Sequence, residues 1–267
     1  GGLMLTRIIS GVVLLPLLFF VIINGGISIY LGALICSLIG LYEFFRVFEG
    51  SGYKPLKTTI YAMTVIMYTA MTYSGMSYSH IVISVTYLIF AVGAVYIMNR
   101  RIRVEDLMIT IMGYIYIPVF LSHINLLSMD QTIYIWLVFI FAWGSDTCAY
   151  FTGMFFGKHK LIPEISPKKT IEGAIGGVVG TVLLTLVFAR YFQEPNPMYF
   201  IPLAMIGSTV SQIGDLFASA IKREFGIKDY GNLIPGHGGI LDRFDSILFT
   251  APLTYYGITF ITYIQNL

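Results

Sequence analysis

Along most of this chain the apolar residues run together instead of alternating with polar ones, in blocks of about 20 residues, the length a helix needs to cross a bilayer. The blocks lie near 5–23, 27–48, 57–75, 79–98, 106–127, 131–154, 172–192, 198–221 and 245–264. This pattern predicts nine helices and an all-α fold, a polytopic integral membrane protein. Two regions are expected: 1–130, with helices 1–5 as scaffold, lipid access and dimer contacts, and 131–267, with helices 6–9 and the loops that carry chemistry.

Composition agrees with the pattern. Of the 267 residues 57% are hydrophobic and 11% charged, against roughly 25% charged in an ordinary soluble domain. Cys36 and Cys148 both sit inside apolar blocks, without the spacing of a disulfide framework or zinc site, and read as small buried hydrophobes. No small-residue cleavage pattern follows the first apolar stretch, so it is read as a span and not a signal peptide, with Gly1 to Leu3 an appended remnant before Met4.

Charge gives the chain a direction. The connections after helices 1, 3, 5 and 7, "NGG", "GMSYSH", "LSMDQ" and "RYFQEPNP", are short or weakly charged. Of the 16 Lys and Arg residues all but Arg190 lie before helix 1 or in the connections after helices 2, 4, 6 and 8. The positive-inside rule then places the N-terminus and these four loops in the cytoplasm and the C-terminus outside. The basic loops at 43–57 and "NRRIR" at 99–103 are read as topology signals, the latter also suited to anionic headgroups. The loops at 156–171 and 222–243 differ, because they mix acids and glycines with their bases, which a topology signal does not need.

Asp146 and Asp215 fall inside apolar stretches, toward the cytoplasmic ends of helices 6 and 8. An ionisable group there is costly unless paired, hydrated or metal-bound, so each marks a candidate functional site, with a buried ion pair as the structural alternative. Asp215, Ser219, Lys222 and Arg223 share one helical face at i, i+4, i+7 and i+8, and Asp146, Tyr150 and Gly153 form a second stripe. Two such stripes predict a hydrated cavity open to the cytoplasm.

The most polar segment is "KDYGNLIPGHGGILDRFDS", 228–246. Asp242 and Asp245 are i, i+3, on one face if the last helix starts there. Gly236, Gly238 and Gly239 allow a tight turn whose N–H groups can face an anion. Carboxylates among lysines and arginines suggest Mg²⁺ bridging to phosphates, since hard oxygen ligands suit Mg²⁺ and the bases hold the remaining charge. In "SPKKTIEG" the pair Ser166-Pro167 reads as a helix start beside Lys168 and Lys169, a phosphate cradle. His237, between glycines, suits a phosphate donor or a turn-locking hydrogen bond better than a general base.

These residues resemble the signature of the CDP-diacylglycerol synthases, the phosphatidate cytidylyltransferase family. In "SAIKREFGIKDYGNLIPGHGGILDRFDS", 219–246, its elements stand as Ser219, Lys222, Arg223, Lys228, Asp229, Pro235, His237, Gly238, Gly239, Asp242, Arg243 and Asp245. "DTCAYFTGMFFGKHK" and "SPKKTIEG" are also similar to that family, so the likeness covers roughly 143–246. It implies the reaction CTP + phosphatidate → CDP-diacylglycerol + diphosphate, a Mg²⁺-dependent step of phospholipid biosynthesis at the cytoplasmic face of the cell membrane.

The roles expected with it are metal ligation by Asp146, Asp215, Asp242 and Asp245, directly or through water, with room for a second cation. Lys168, Lys169, Lys222, Arg223 and Arg243 would hold the triphosphate and the lipid headgroup, and Ser219, Lys228, His237, Gly238 and Gly239 would line the substrates. Acyl chains would enter between helices from the inner leaflet. A CTP-dependent lipid-alcohol kinase and a cation-coupled transporter are the alternatives. The motif spacing favours the transferase over the kinase, and the absence of an inverted repeat disfavours the transporter. No nucleic-acid partner is expected; a homodimer through the apolar helices is compatible with the sequence and specified by no residue in it.

Overall fold

In the computed structural model the described residues are 14–73, 79–99 and 102–266. They are nearly all helical: α1 (Leu14–Asn24), α2 (Gly26–Gly50), α3 (Lys57–Tyr73), α4 (Ser79–Met98), α5 (Val104–Met129), α6 (Thr132–Phe156), α7 (Ile171–Tyr191), α8 (Pro197–Glu224) and α9 (Leu241–Gln265). Seven of these are long and apolar enough to cross a membrane, which makes the chain a polytopic membrane protein. The helix at 57–73 falls just short in length, and the start of the first span, with Met4 and Arg7, lies outside the described residues, as do most of "GMSYSH" and Arg100 and Arg101 of "NRRIR". Among the described residues the strands are a two-stranded antiparallel hairpin, β1 (Lys160–Ile162) and β2 (Ser166–Thr170).

By its contacts the chain divides into two compact units. One comprises the residues up to Thr132 together with Asp229–Arg243, and the other comprises Ile133–Lys228 and Phe244–Leu267. The segment 229–243, read in sequence as part of the C-terminal region, thus groups with N-terminal residues.

In the first unit α2 packs on α5. A Cβ at Gly113 would stand 2.7 Å from the Phe45 ring, so only glycine admits this approach. Pro118 sits in a π-helical turn of α5, Ile115–Val119. Proline has no N–H for the preceding turn, and the wider turn absorbs the mismatch. The buried Tyr68 hydroxyl of α3 donates to the Pro118 carbonyl at 3.2 Å and meets Ser37 Oγ of α2 at 2.9 Å, so the polar atoms of this apolar core pair with one another.

In the second unit α6, α7 and α8 pack through small residues. Gly173, Gly176, Gly177 and Gly180 make a stripe on α7, and a Cβ on Gly176 or Gly180 would run into Thr152 or Cys148 of α6. Backbones in lipid associate by such close packing, because apolar side chains gain little by leaving lipid for one another. Ser145 Oγ and Ser208 Oγ lie 2.7 Å apart between α6 and α8, and Thr250 of α9 donates to the Val138 carbonyl of α6 at 3.1 Å. At one end Leu137, Phe141, Phe188, Phe200, Leu203 and Ile258 form an apolar core.

Candidate active site

The charged residues singled out above fall into two groups, one in each unit.

In the second unit, Asp146 comes from α6, Lys169 from β2, Asp215 and Lys222 from α8, and Asp245 from α9. Local structure presents each of them. The chain does not enter α7 at Ser166-Pro167: residues 166–170 form β2, and the helix begins at Ile171, capped by Thr170 Oγ1, which accepts the Gly173 N–H at 3.1 Å. A threonine hydroxyl followed by a turn of free N–H groups competes successfully with the proline. Lys168 and Lys169 are therefore successive strand residues, which point to opposite faces. Lys168 is exposed, whereas the Lys169 ammonium pairs with the Asp215 carboxylate. Glu172 ties down the hairpin entrance by accepting the Lys158 and His159 N–H groups at 3.1 and 3.2 Å and meeting His159 Nδ1 at 2.6 Å.

Asp245 is buried, with Oδ1 accepting the Ser246 N–H at 2.7 Å. Asp215 and Asp146 lie near enough to repel its charge, and Lys222, itself buried, lies near enough to offset that repulsion. Gly214 makes this possible: a Cβ there would fall 3.0 Å from the Asp245 carbonyl oxygen, so α8 and α9 approach at bare backbone. In the second expected stripe Gly153 packs against Thr170 and Gly173, and Tyr150 is exposed. Arg223 is also exposed and donates to the Ile227 carbonyl at 3.0 Å, closing the turn that Gly226, at φ +63°, allows after α8.

In the first unit, α9 starts at Leu241 and not near 245, so Asp242 lies in its first turn. Asp242 Oδ2 accepts the Tyr230 N–H at 2.8 Å and the Gly239 N–H at 2.9 Å. The turn between them closes through Ile234 N–H to Gly238 O at 2.8 Å and His237 N–H to Ile234 O at 2.9 Å, with Gly236 and Gly238 at φ +77° and +86°. Its amides were expected to face an external anion, but several of them face the chain's own carboxylates. Glu43 takes two more: Oε1 accepts Ile240 N–H at 3.1 Å and Oε2 accepts Leu241 N–H at 2.8 Å. Arg46, one turn along α2, donates to the Tyr230 carbonyl at 2.9 Å. Arg243 and Asp229 are exposed and His237 and Gly238 half-buried; of the second unit's residues, Lys228 is exposed and Ser219 half-buried.

Glu43 and Arg46 were missed in the sequence, where their loop read as a topology signal. The signal was present, because Glu43 is an acid inside an apolar block, as Asp146 and Asp215 are.

Among the described residues no three His, Cys, Asp or Glu side chains are gathered as a metal centre. The donors of the second unit nevertheless suit a hard cation, being carboxylates alone. Asp146 and Asp215 both act on the charge of Asp245, and the ammonium on Asp215 shows that this carboxylate accepts a cation.

The cytidylyltransferase family profile matches residues 5–261. The phosphatidate cytidylyltransferase of Bacillus subtilis (strain 168) is 46% identical over 136 residues, covering 50% of this chain and 51% of that protein. Those of Staphylococcus aureus (strain COL) and Staphylococcus epidermidis (strain RP62A) are 35% identical over 253 residues and 32% over 254, each covering 93% of this chain and 95% of the relative.

Proposed function

The chain belongs to the cytidylyltransferase family, and from that premise we propose that it transfers the cytidylyl group of CTP to phosphatidate at the cytoplasmic face of the cell membrane, giving CDP-diacylglycerol and diphosphate. The observation that carries this reading is the gathering of Asp146, Asp215, Asp245, Lys169 and Lys222, from four separate elements of the second unit, with Asp245 and Lys222 buried. Relatives named phosphatidate cytidylyltransferase over 93% of the chain support it.

The chemistry suits these groups. A phosphate oxygen of the lipid attacks the α-phosphorus of CTP, the bond from that phosphorus to the bridging oxygen breaks, and its electron pair leaves on diphosphate. The attacking oxygen is already ionised at neutral pH, so no residue need remove a proton. The work is charge neutralisation and in-line placement, which explains a site rich in Asp and Lys and poor in histidine. Lys169 and Lys222 neutralise phosphate charge within the unit. Lys168, Arg223, Lys228 and Arg243, all exposed, suit the soluble nucleotide. Ser219, His237 and Gly238 are half-buried and would line the substrates. Asp146, Asp215 and Asp245 would hold Mg²⁺, which when bound supplies positive charge to the phosphates. Asp242, expected among the ligands, has Oδ2 committed to two backbone amides and serves here to hold the turn.

The test is diphosphate release by purified protein in detergent, with CTP, phosphatidate and Mg²⁺. Release that requires all three, and collapses in Asp215→Asn and Asp245→Asn, is the expected result. If folded protein with accessible lipid releases none, the transferase reading is wrong.

A further inference from the structure

We propose that Glu43 and Arg46 are positioning residues for this reaction: from α2 they set the geometry of the glycine-rich segment 230–242, an inference that rests on the transferase reading above.

The segment has little to order it by itself. It contains four glycines, Gly231, Gly236, Gly238 and Gly239, and its only ladder is a single bridge between Ile234 and Gly238. Such a chain loses much conformational entropy on being held in one shape. Its backbone is instead held by charged side chains at both ends. Asp242 takes the Tyr230 and Gly239 N–H groups, Arg46 takes the Tyr230 carbonyl, and Glu43 takes the Ile240 and Leu241 N–H groups. Both backbone polar groups of Tyr230 are thus fixed, one from inside the segment and one from α2.

Glu43 fits this role in three respects. It is 3% exposed in a membrane helix, where a carboxylate is costly unless hydrogen-bonded. Each of its oxygens accepts one amide, which a carboxylate can do at both atoms and a carboxamide at only one. Gly231 and Gly239 lie directly on it, so that a Cβ at either would overlap the carboxylate. Two of the segment's four glycines are therefore seated on the group that holds its exit into α9. Purely structural burial of α2 needs none of this, since an apolar residue in its place would pack without the cost of burying an ion.

The experiment uses the full chain in detergent, with Glu43→Gln and Arg46→Gln beside wild type. It reads diphosphate release, the thermal midpoint, and amide hydrogen exchange of peptides covering 229–242. In Glu43→Gln, exchange rises in those peptides alone, kcat falls by on the order of 100-fold, as a misplacement near 1 Å does, and the midpoint stays within a few degrees. Arg46→Gln, at an exposed position that tolerates substitution, moves both readouts the same way by about tenfold. A loosened segment with unchanged kcat would overturn the proposal, as would lowered kcat with unchanged exchange, or exchange rising throughout the protein. If the wild type releases no diphosphate while its 229–242 amides are protected, the transferase reading fails and the anchoring geometry alone survives.

Discussion

The two charged groups solve different problems. In the second unit charged side chains face one another: Lys169 pairs with Asp215, and Asp245 sits in the fields of Asp146, Asp215 and Lys222. In the first unit they face backbone: Glu43, Arg46 and Asp242 hold the amides and carbonyl of a glycine-rich turn. Partners of the first kind can be exchanged for a cation or a phosphate, because another ion satisfies the same charge. Partners of the second kind cannot be exchanged without unfolding the turn. Carboxylates that look equivalent in the motif, Asp242 and Asp245, thus stand in different surroundings.

The sharpest way to break this comparison is to neutralise each carboxylate. Asp245→Asn should reduce diphosphate release by about 1,000-fold or more, since it removes charge where the reaction is electrostatic. Asp242→Asn keeps an oxygen able to accept both amides and should lose only about tenfold, with Asp242→Ala worse, because that variant leaves two amides unsatisfied. Equal losses for Asn and Ala at 242 would make Asp242 a ligand after all. Removing Mg²⁺ with a chelator should abolish activity, and on titrating it back Asp215→Asn should need about tenfold more metal for half-saturation. Asp242→Asn should titrate like wild type. Lys169→Arg should stay within about threefold of wild type, whereas Lys169→Met loses about 100-fold, since charge and not shape is required. The smallest effect is expected at Thr170→Ala, which should cost about 1 kcal/mol of stability through the lost helix cap and lower the thermal midpoint slightly.

Much of the architecture could be read from the chain. A bilayer demands contiguous apolar helices, so the spans announce themselves, and the segment 219–246 carries its motif without interruption. What went astray was local competition. Ser166-Pro167 looked like a helix start, yet strand pairing of Lys160–Ile162 with Ser166–Thr170 moved the cap to Thr170. Glu43 obeyed the same rule that selected Asp146 and Asp215, but its neighbours at 46, 54 and 57 are basic and suggested only topology. The amides around the PGHGG turn were expected to seek an external anion, yet Gly239 N–H goes to Asp242 and the next two, of Ile240 and Leu241, go to Glu43 of α2, a partner that nothing local reveals.

By itself the sequence determined the membrane class and the extent of most helices, both of which follow from near neighbours and from the solvent. Only the tertiary structure decided the partners: Lys169 with Asp215, Glu43 with Ile240 and Leu241, Asp245 among the second unit's charges, and Asp242 with its turn. The physical reason is distance along the chain. An ionic or hydrogen-bonded pair forms between groups that packing brings together, and glycine seams such as Gly176 and Gly180 against α6 set how closely the helices approach.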